Sequence, residues 1–140
     1  MANDHSRAAL PGPLDPSLSD NDLAQLARSE QATVRAAAAA HPNMPLTLIL
    51  QLARDDAHVV RAGVARNPRT DIPEDILREL ATDNAAEVVF ALIANESVPD
   101  SVISRVMKGK HRDAYGPAKA RLSKHGTKSG FLGSIASLRG

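Results

Sequence analysis

Three segments of the chain repeat one another, and no other feature limits its possible folds as much. VRAAAAAHPNMPLT (34–47), VRAGVARNPRTDIPED (60–75) and VVFALIANESVPDS (88–101) carry the same small and apolar residues in phase. The period is 26 residues from Val34 to Val60 and 28 from Val60 to Val88. Stacked arrays of one supersecondary unit produce such a period, because each unit can bury its apolar face only against its neighbours. The two extra residues fall in the loop 67–72, where an insertion leaves stacked elements undisturbed.

Each unit reads as two short helices. In the first, Ser19 with Asp22 three residues on resembles a capping box, and Leu23, Leu26 and Ala27 follow at helical spacing. Pro45, Pro73 and Pro99 open the corresponding helices of later units, where the first helical position is expected for a residue of fixed φ without an amide hydrogen. Glu74, Asp75 and Asp100 add negative charge at the positive end of the helix dipole. Polar breaks follow at Ser29-Glu30, Asp55-Asp56 and Asp83-Asn84, and Asn84 with Glu87 suggests another capping box. The second helices are expected over 34–40, 60–66 and 88–94. They end at His41-Pro42, Asn67-Pro68 and Asn95-Glu96, with Asn67 and Asn95 expected in the left-handed conformation of a C-terminal cap. The fourth unit departs from the pattern: Gly109 stands where Asp is expected, and Pro117 delays the last helix to 117–124. A terminal unit has no following neighbour, so a degenerate and polar one is expected there.

Composition narrows the chemistry. With Phe90, Tyr115 and Phe131 the only aromatics in 140 residues, the core has to be built from Ala, Leu, Ile and Val. The lack of Cys excludes disulfides, thiolate metal sites and a cysteine nucleophile. The N-terminal sequence shows no signal-peptide pattern and no stretch approaches the roughly 18 apolar residues of a membrane span, so a cytoplasmic protein is expected. Residues 1–16 read as a disordered leader, 17–124 as the helical-repeat domain, and 125–140 as a flexible tail. The net charge of +1 conceals a division: residues 1–107 carry 9 Lys and Arg against 15 Asp and Glu, while 108–140 carry 8 against Asp113 alone. An acidic body with a basic end points to a polyanionic partner or to an end that folds back.

The unit Pro-x-x-x-apolar-x-x-apolar-Ala, followed by Val-Arg-x-small-apolar-Ala-x-Asn-Pro, resembles the variant leucine-rich repeat, a short helical relative of the HEAT and armadillo repeats. The resemblance covers about 17–107 and is fullest where Leu52-Ala53-Arg54-Asp55 is followed by residues 60–68. It implies an all-α, right-handed α-solenoid of about three full repeats plus a degenerate C-terminal one. The second element of each repeat can then be short or of the 3₁₀ type. The iron–sulfur cluster of the family's founding member does not carry over, since it needs a cysteine-rich segment. What the resemblance implies instead is an interaction scaffold.

The candidate sites follow from where the repeat is loaded or broken. Arg35, Arg61 and Arg66 could grip an anionic partner. Against this, Asp55 lies six residues before Arg61, a spacing resembling the HEAT pair that ties the turn between helices and builds a ladder along the stack, and Ser29 stands likewise before Arg35. The ladder is the favoured role. Phe90 replaces Ala36 and Ala62, which suits either a partner-binding anchor or, as the favoured reading, packing beneath the irregular last unit against Tyr115. Lys108, Lys110, Arg112, Lys119, Arg121, Lys124 and Lys128 form a polyanion-binding candidate. No aromatics interleave with these cations to stack bases. Phe131, Leu132, Ile135 and Leu138 define one apolar face of a short segment that could dock in a partner's groove. The five histidines lack metal-ligand spacing, and no phosphate-cradling loop or nucleophile elbow is present, so no cofactor, metal or reaction is expected. The expected function is a non-enzymatic scaffold or adaptor that binds another protein. Nucleic-acid binding through 108–128 is the alternative, and contact with a membrane surface is the least favoured.

Overall fold

The computed structural model describes residues 14–126, which are all-helical, with eight α-helices, one 3₁₀ turn and no strand. The helices are α1 Asp20–Leu26, α2 Ala32–Ala39, α3 Leu46–Leu52, α4 His58–Arg66, α5 Glu74–Ala81, α6 Ala86–Ala94, α7 Asp100–Met107 and α8 Tyr115–His125. The 3₁₀ turn Arg112–Ala114 leads directly into α8.

The odd-numbered helices begin as the sequence suggests, with one shift. Ser19 caps α1 in a full capping box: its Oγ accepts from the Asp22 N–H while the Asp22 carboxylate accepts from the Ser19 N–H. Pro45, Pro73 and Pro99 stand at the N-cap, one residue earlier than expected, with φ between −54° and −65° but ψ of 137° to 150°. The ring still fits, since φ is in its preferred range and the proline carbonyl accepts the first helical bond, as in Ile49 N–H to Pro45 O at 3.1 Å. Just before each cap, Met44, Ile72 and Val98 are buried and Leu18 packs against the same core. The two inserted residues of the loop 67–72 therefore bulge outward without moving the apolar anchor.

The even-numbered helices pack in sequence, α2 on α4 and α4 on α6, and these are the broadest contacts in the molecule. Their approach is close because the facing residues are small. A Cβ added to Gly63 would lie 2.4 Å from the Ala36 carbonyl oxygen and 3.0 Å from the Ala39 Cβ, so only glycine permits this separation. Val60, Val64, Val88 and Leu92 are fully buried at the four-residue spacing expected of one helical face. Among the described residues the core is aliphatic, with no aromatic residue in it.

Three local expectations are corrected. Asn84 and Glu87 form no capping box: α6 starts at Ala86, and it is the Asp83 carboxylate that accepts from the Ala85 N–H. Asn67 and Asn95 are extended, with φ of −64° and −92°, and no non-glycine residue among those described has positive φ. The last helix starts at Tyr115, two residues earlier than expected. Pro117 lies within its first turn, where an amide hydrogen has no helical acceptor to lose. No described helix is long and apolar enough to cross a membrane.

Candidate interaction surface and the ladders that frame it

Two polar ladders, one at each end of the even-numbered helices, take up three of the candidate binding residues, Arg35, Arg61 and Arg121. The first runs through Ser29, Asp55 and Asp83. At each, the side-chain oxygen accepts from the N–H two residues on, which fixes the start of the following helix: Ser29 from Gln31, Asp55 from Ala57, Asp83 from Ala85. Their backbone carbonyls accept from the arginine of their own unit, Ser29 O from Arg35 and Asp55 O from Arg61, at 2.8 and 2.7 Å. The carboxylates turn to the preceding unit instead. Asp55 receives Arg35 in a two-bond fork at 2.8 and 3.0 Å, and Asp83 receives Arg61 at 2.7 and 3.1 Å. The expected Asp55–Arg61 pair is therefore corrected. The spacing of six is made through the Asp55 carbonyl, and its carboxylate belongs to Arg35.

Burial disfavours ionisation of Asp55 and Asp83, but the guanidinium bonds, the amide bond and the charges of Arg35 and Arg61 outweigh it, so both carboxyls are held below the usual carboxylate range. Arg35 and Arg61 are held above theirs, chiefly by the same bonds. Both are used within the fold and offer a partner no free fork. Arg66 is exposed and makes no ion pair among the described residues.

The ladder stops where its parts stop. Val89 stands in the register of Arg61 and carries no guanidinium, and Gly109, one unit further on, carries no carboxylate. The Asp83 carbonyl that an arginine would have bonded accepts from His111 Nε2 at 2.7 Å, and Lys110 Nζ bonds the Asn84 side chain.

The second ladder links Asp15, His41, Asn67, Asn95 and Arg121, spaced by 26, 26, 28 and 26 residues. Asn67 is buried, and its Nδ2 donates to the carbonyls of Ala39 and His41 at 2.8 and 2.9 Å. Asn95 repeats this on Ala65 and Asn67 at 2.9 and 2.8 Å. Each Oδ1 accepts from the N–H two residues on, at Arg69 and Ser97. His41 does both jobs with a ring: Nδ1 accepts from Asn43 N–H, so Nε2 carries the proton and donates to Asp15 O at 2.9 Å. Asp15, the first rung among the described residues, only accepts, from the Ser17 N–H and hydroxyl. Arg121, at the last rung, only donates. Its Nη1 bonds the carbonyls of Leu92, Ile93 and Asn95, and its Nη2 that of Val98. A buried cation there also meets the negative end of the α6 dipole.

Arg121 is thereby removed from the polyanion-binding candidates, being 7% exposed and committed to backbone carbonyls. Lys108, Lys110, Arg112, Lys119 and Lys124 are exposed. Lys128, Phe131, Leu132, Ile135 and Leu138 lie outside the described residues. Phe90 is not packed away: it is 37% exposed, and Tyr115 is 47% exposed, whereas Ala36 and Ala62 at the same register as Phe90 are buried. Phe90 lines a cleft of about 300 Å³ together with Ala86, Lys110, His111, Arg112 and Asp113. The neighbouring groove, about 430 Å³, contains Asp55, Asp56, Arg54, Arg61 and Asp83 and is wholly different in character. There Arg61 pairs with Asp83, and Arg54 with Glu79. No group of three or more His, Asp or Glu side chains that could hold a metal ion occurs among the described residues.

The ladder through Asn67 could have been found from sequence, because Asp15, His41, Asn67, Asn95 and Arg121 share one register. The signal is the hydrogen-bonding type of each residue rather than its identity. No family model, curated protein or solved structure matches the chain.

Proposed function

We propose that this chain is a right-handed solenoid of two-helix units akin to the variant leucine-rich repeat, and that it works as a non-enzymatic scaffold holding another protein. The observation that carries this reading is Phe90, an exposed aromatic on a helix whose two predecessors bury alanine at that register. A large apolar side chain held on a rigid helix beside exposed cations has the character of an interface anchor. The repeated hydrogen bonds of both ladders support the solenoid, since each joins one unit to the next at the sequence period. A cytoplasmic location belongs to the same proposal.

The test is a photo-crosslinking residue placed at position 90 of the full chain in the cells that produce it. Discrete protein adducts are expected, and adducts to nucleic acid alone would reverse the reading. The exposed Lys108, Lys110, Arg112, Lys119 and Lys124 favour polyanion binding as the second reading. It requires oligonucleotide affinity that falls steeply as salt rises, with a slope reduced by charge reversal at those five residues.

A further inference from the structure

Resting on the scaffold reading, we propose that the Phe90 cleft is a docking site for a short acidic peptide segment bearing an apolar side chain. Two features define the occupant. The first is apolar: the Phe90 ring is exposed above the small Ala86, so a partner's aliphatic or aromatic side chain can cover it and remove it from water. The second is charge. Lys110 bonds the neutral amide of Asn84 rather than a carboxylate, and Arg112 has no ion pair among the described residues. Arg54 and Arg61 in the adjoining groove are each paired with a carboxylate. The cleft thus presents two cations whose charge is not locally matched, with Asp113 as its single acid. A carboxylate of the partner beside Arg112 and Lys110 supplies the countercharge that the cleft itself lacks.

The cleft also has a firm frame. His111 is tied to the Asp83 carbonyl and Lys110 to Asn84, so the segment carrying both cations is fastened to α6's own entry turn before any partner arrives. Such preorganisation lowers the ordering cost of binding.

The experiment is a selection of random displayed peptides on the intact chain, with parallel selections on Phe90→Ala, Arg112→Glu and Lys124→Glu. Phe90→Ala installs the residue that two earlier units carry at this register, so it should fold. Arg112→Glu and Lys124→Glu change the net charge equally, the latter near the far end of α8. The expected result is enrichment of peptides combining Asp or Glu with a large apolar residue. Their affinity should drop roughly tenfold or more on Phe90→Ala and Arg112→Glu and remain on Lys124→Glu. Equal loss on Lys124→Glu, binding of a glutamate-only peptide or of single-stranded DNA as tight as that of the selected peptides, or no enrichment over Phe90→Ala would each overturn the proposal. Discrete protein crosslinks from position 90 together with any of these outcomes would leave the scaffold reading standing and remove only the acidic-peptide assignment.

Discussion

At the scale of single residues, the decisive choices are those of hydrogen-bonding type. Asn67 is buried and serves three backbone groups in two units. Asn67→Ala strands those groups and should cost about 3 kcal/mol, within the range for buried groups left without partners. Asn67→Asp should be worse, as it turns a carboxylate toward the Ala39 and His41 oxygens. Asp15→Asn at the first rung, where the side chain is exposed and only accepts, should change stability by less than about 0.5 kcal/mol. Denaturant midpoints of the three variants check the contrast, and equal losses at positions 15 and 67 would refute the assigned polarity. Gly63 makes a different demand. Gly63→Ala drives a methyl group into the Ala36 carbonyl, and the helices must separate at a cost of roughly 1–3 kcal/mol, readable as a lowered Tm.

Helices and turns were largely legible in the sequence, because their signals are local. Capping at Ser19, the prolines before α3, α5 and α7, and the four-residue spacing of Val60 and Val64 act within one turn of helix. What acts between units was legible only as periodicity. The interval from Asp55 to Arg61 suggested a pair, but Asp55 must also hold the Ala57 N–H, and that bond turns its carboxylate toward Arg35, 20 residues back. Of the two roles open to Phe90, packing beneath the last unit is the one overturned, for a related reason: its exposure depends on how the 3₁₀ turn Arg112–Ala114 and α8 meet α6, which no local pattern encodes. At this scale the Arg35–Asp55 and Arg61–Asp83 links predict an acid response. Their carboxyls titrate lower in the folded chain than in the unfolded one, so the links stabilise fully above the ordinary carboxylate value of about 4 and weaken as pH falls through the folded values. Chemical denaturation followed from neutral pH to about pH 2 should show a steep loss below about 4. The Asp55→Asn/Asp83→Asn double variant should start less stable and show a shallower fall.

For the whole molecule, the two ladders place polar bonds at both ends of α2, α4 and α6 and leave the packing between those helices to Ala, Gly, Val and Leu. Each of these helices is thus pinned about 13 Å apart by bonds to its neighbours, given the rise of an α-helix. Arg121 extends that arrangement to α8, whose basic composition masks a buried structural cation. Arg121→Ala should free α8 selectively. Hydrogen exchange of its amides should quicken by more than about tenfold while α4 amides hold, and uniform quickening would show that α8 does not behave as a separable unit.

The one-way order of the Asn67 ladder, from an acceptor at Asp15 to a donor at Arg121, also gives this chain a grammar for growth. A copy of residues 42–67 inserted directly after Asn67 would arrive with a donor, an acceptor, an arginine and an aspartate in the right phase. The lengthened chain should fold with a higher denaturant m-value, in proportion to the surface it adds. The same copy placed after Arg121 would instead interrupt the helix Tyr115–His125 and should remain unfolded. Duplication in the interior, rather than insertion within the last helix, is the route by which a protein so constructed can become longer.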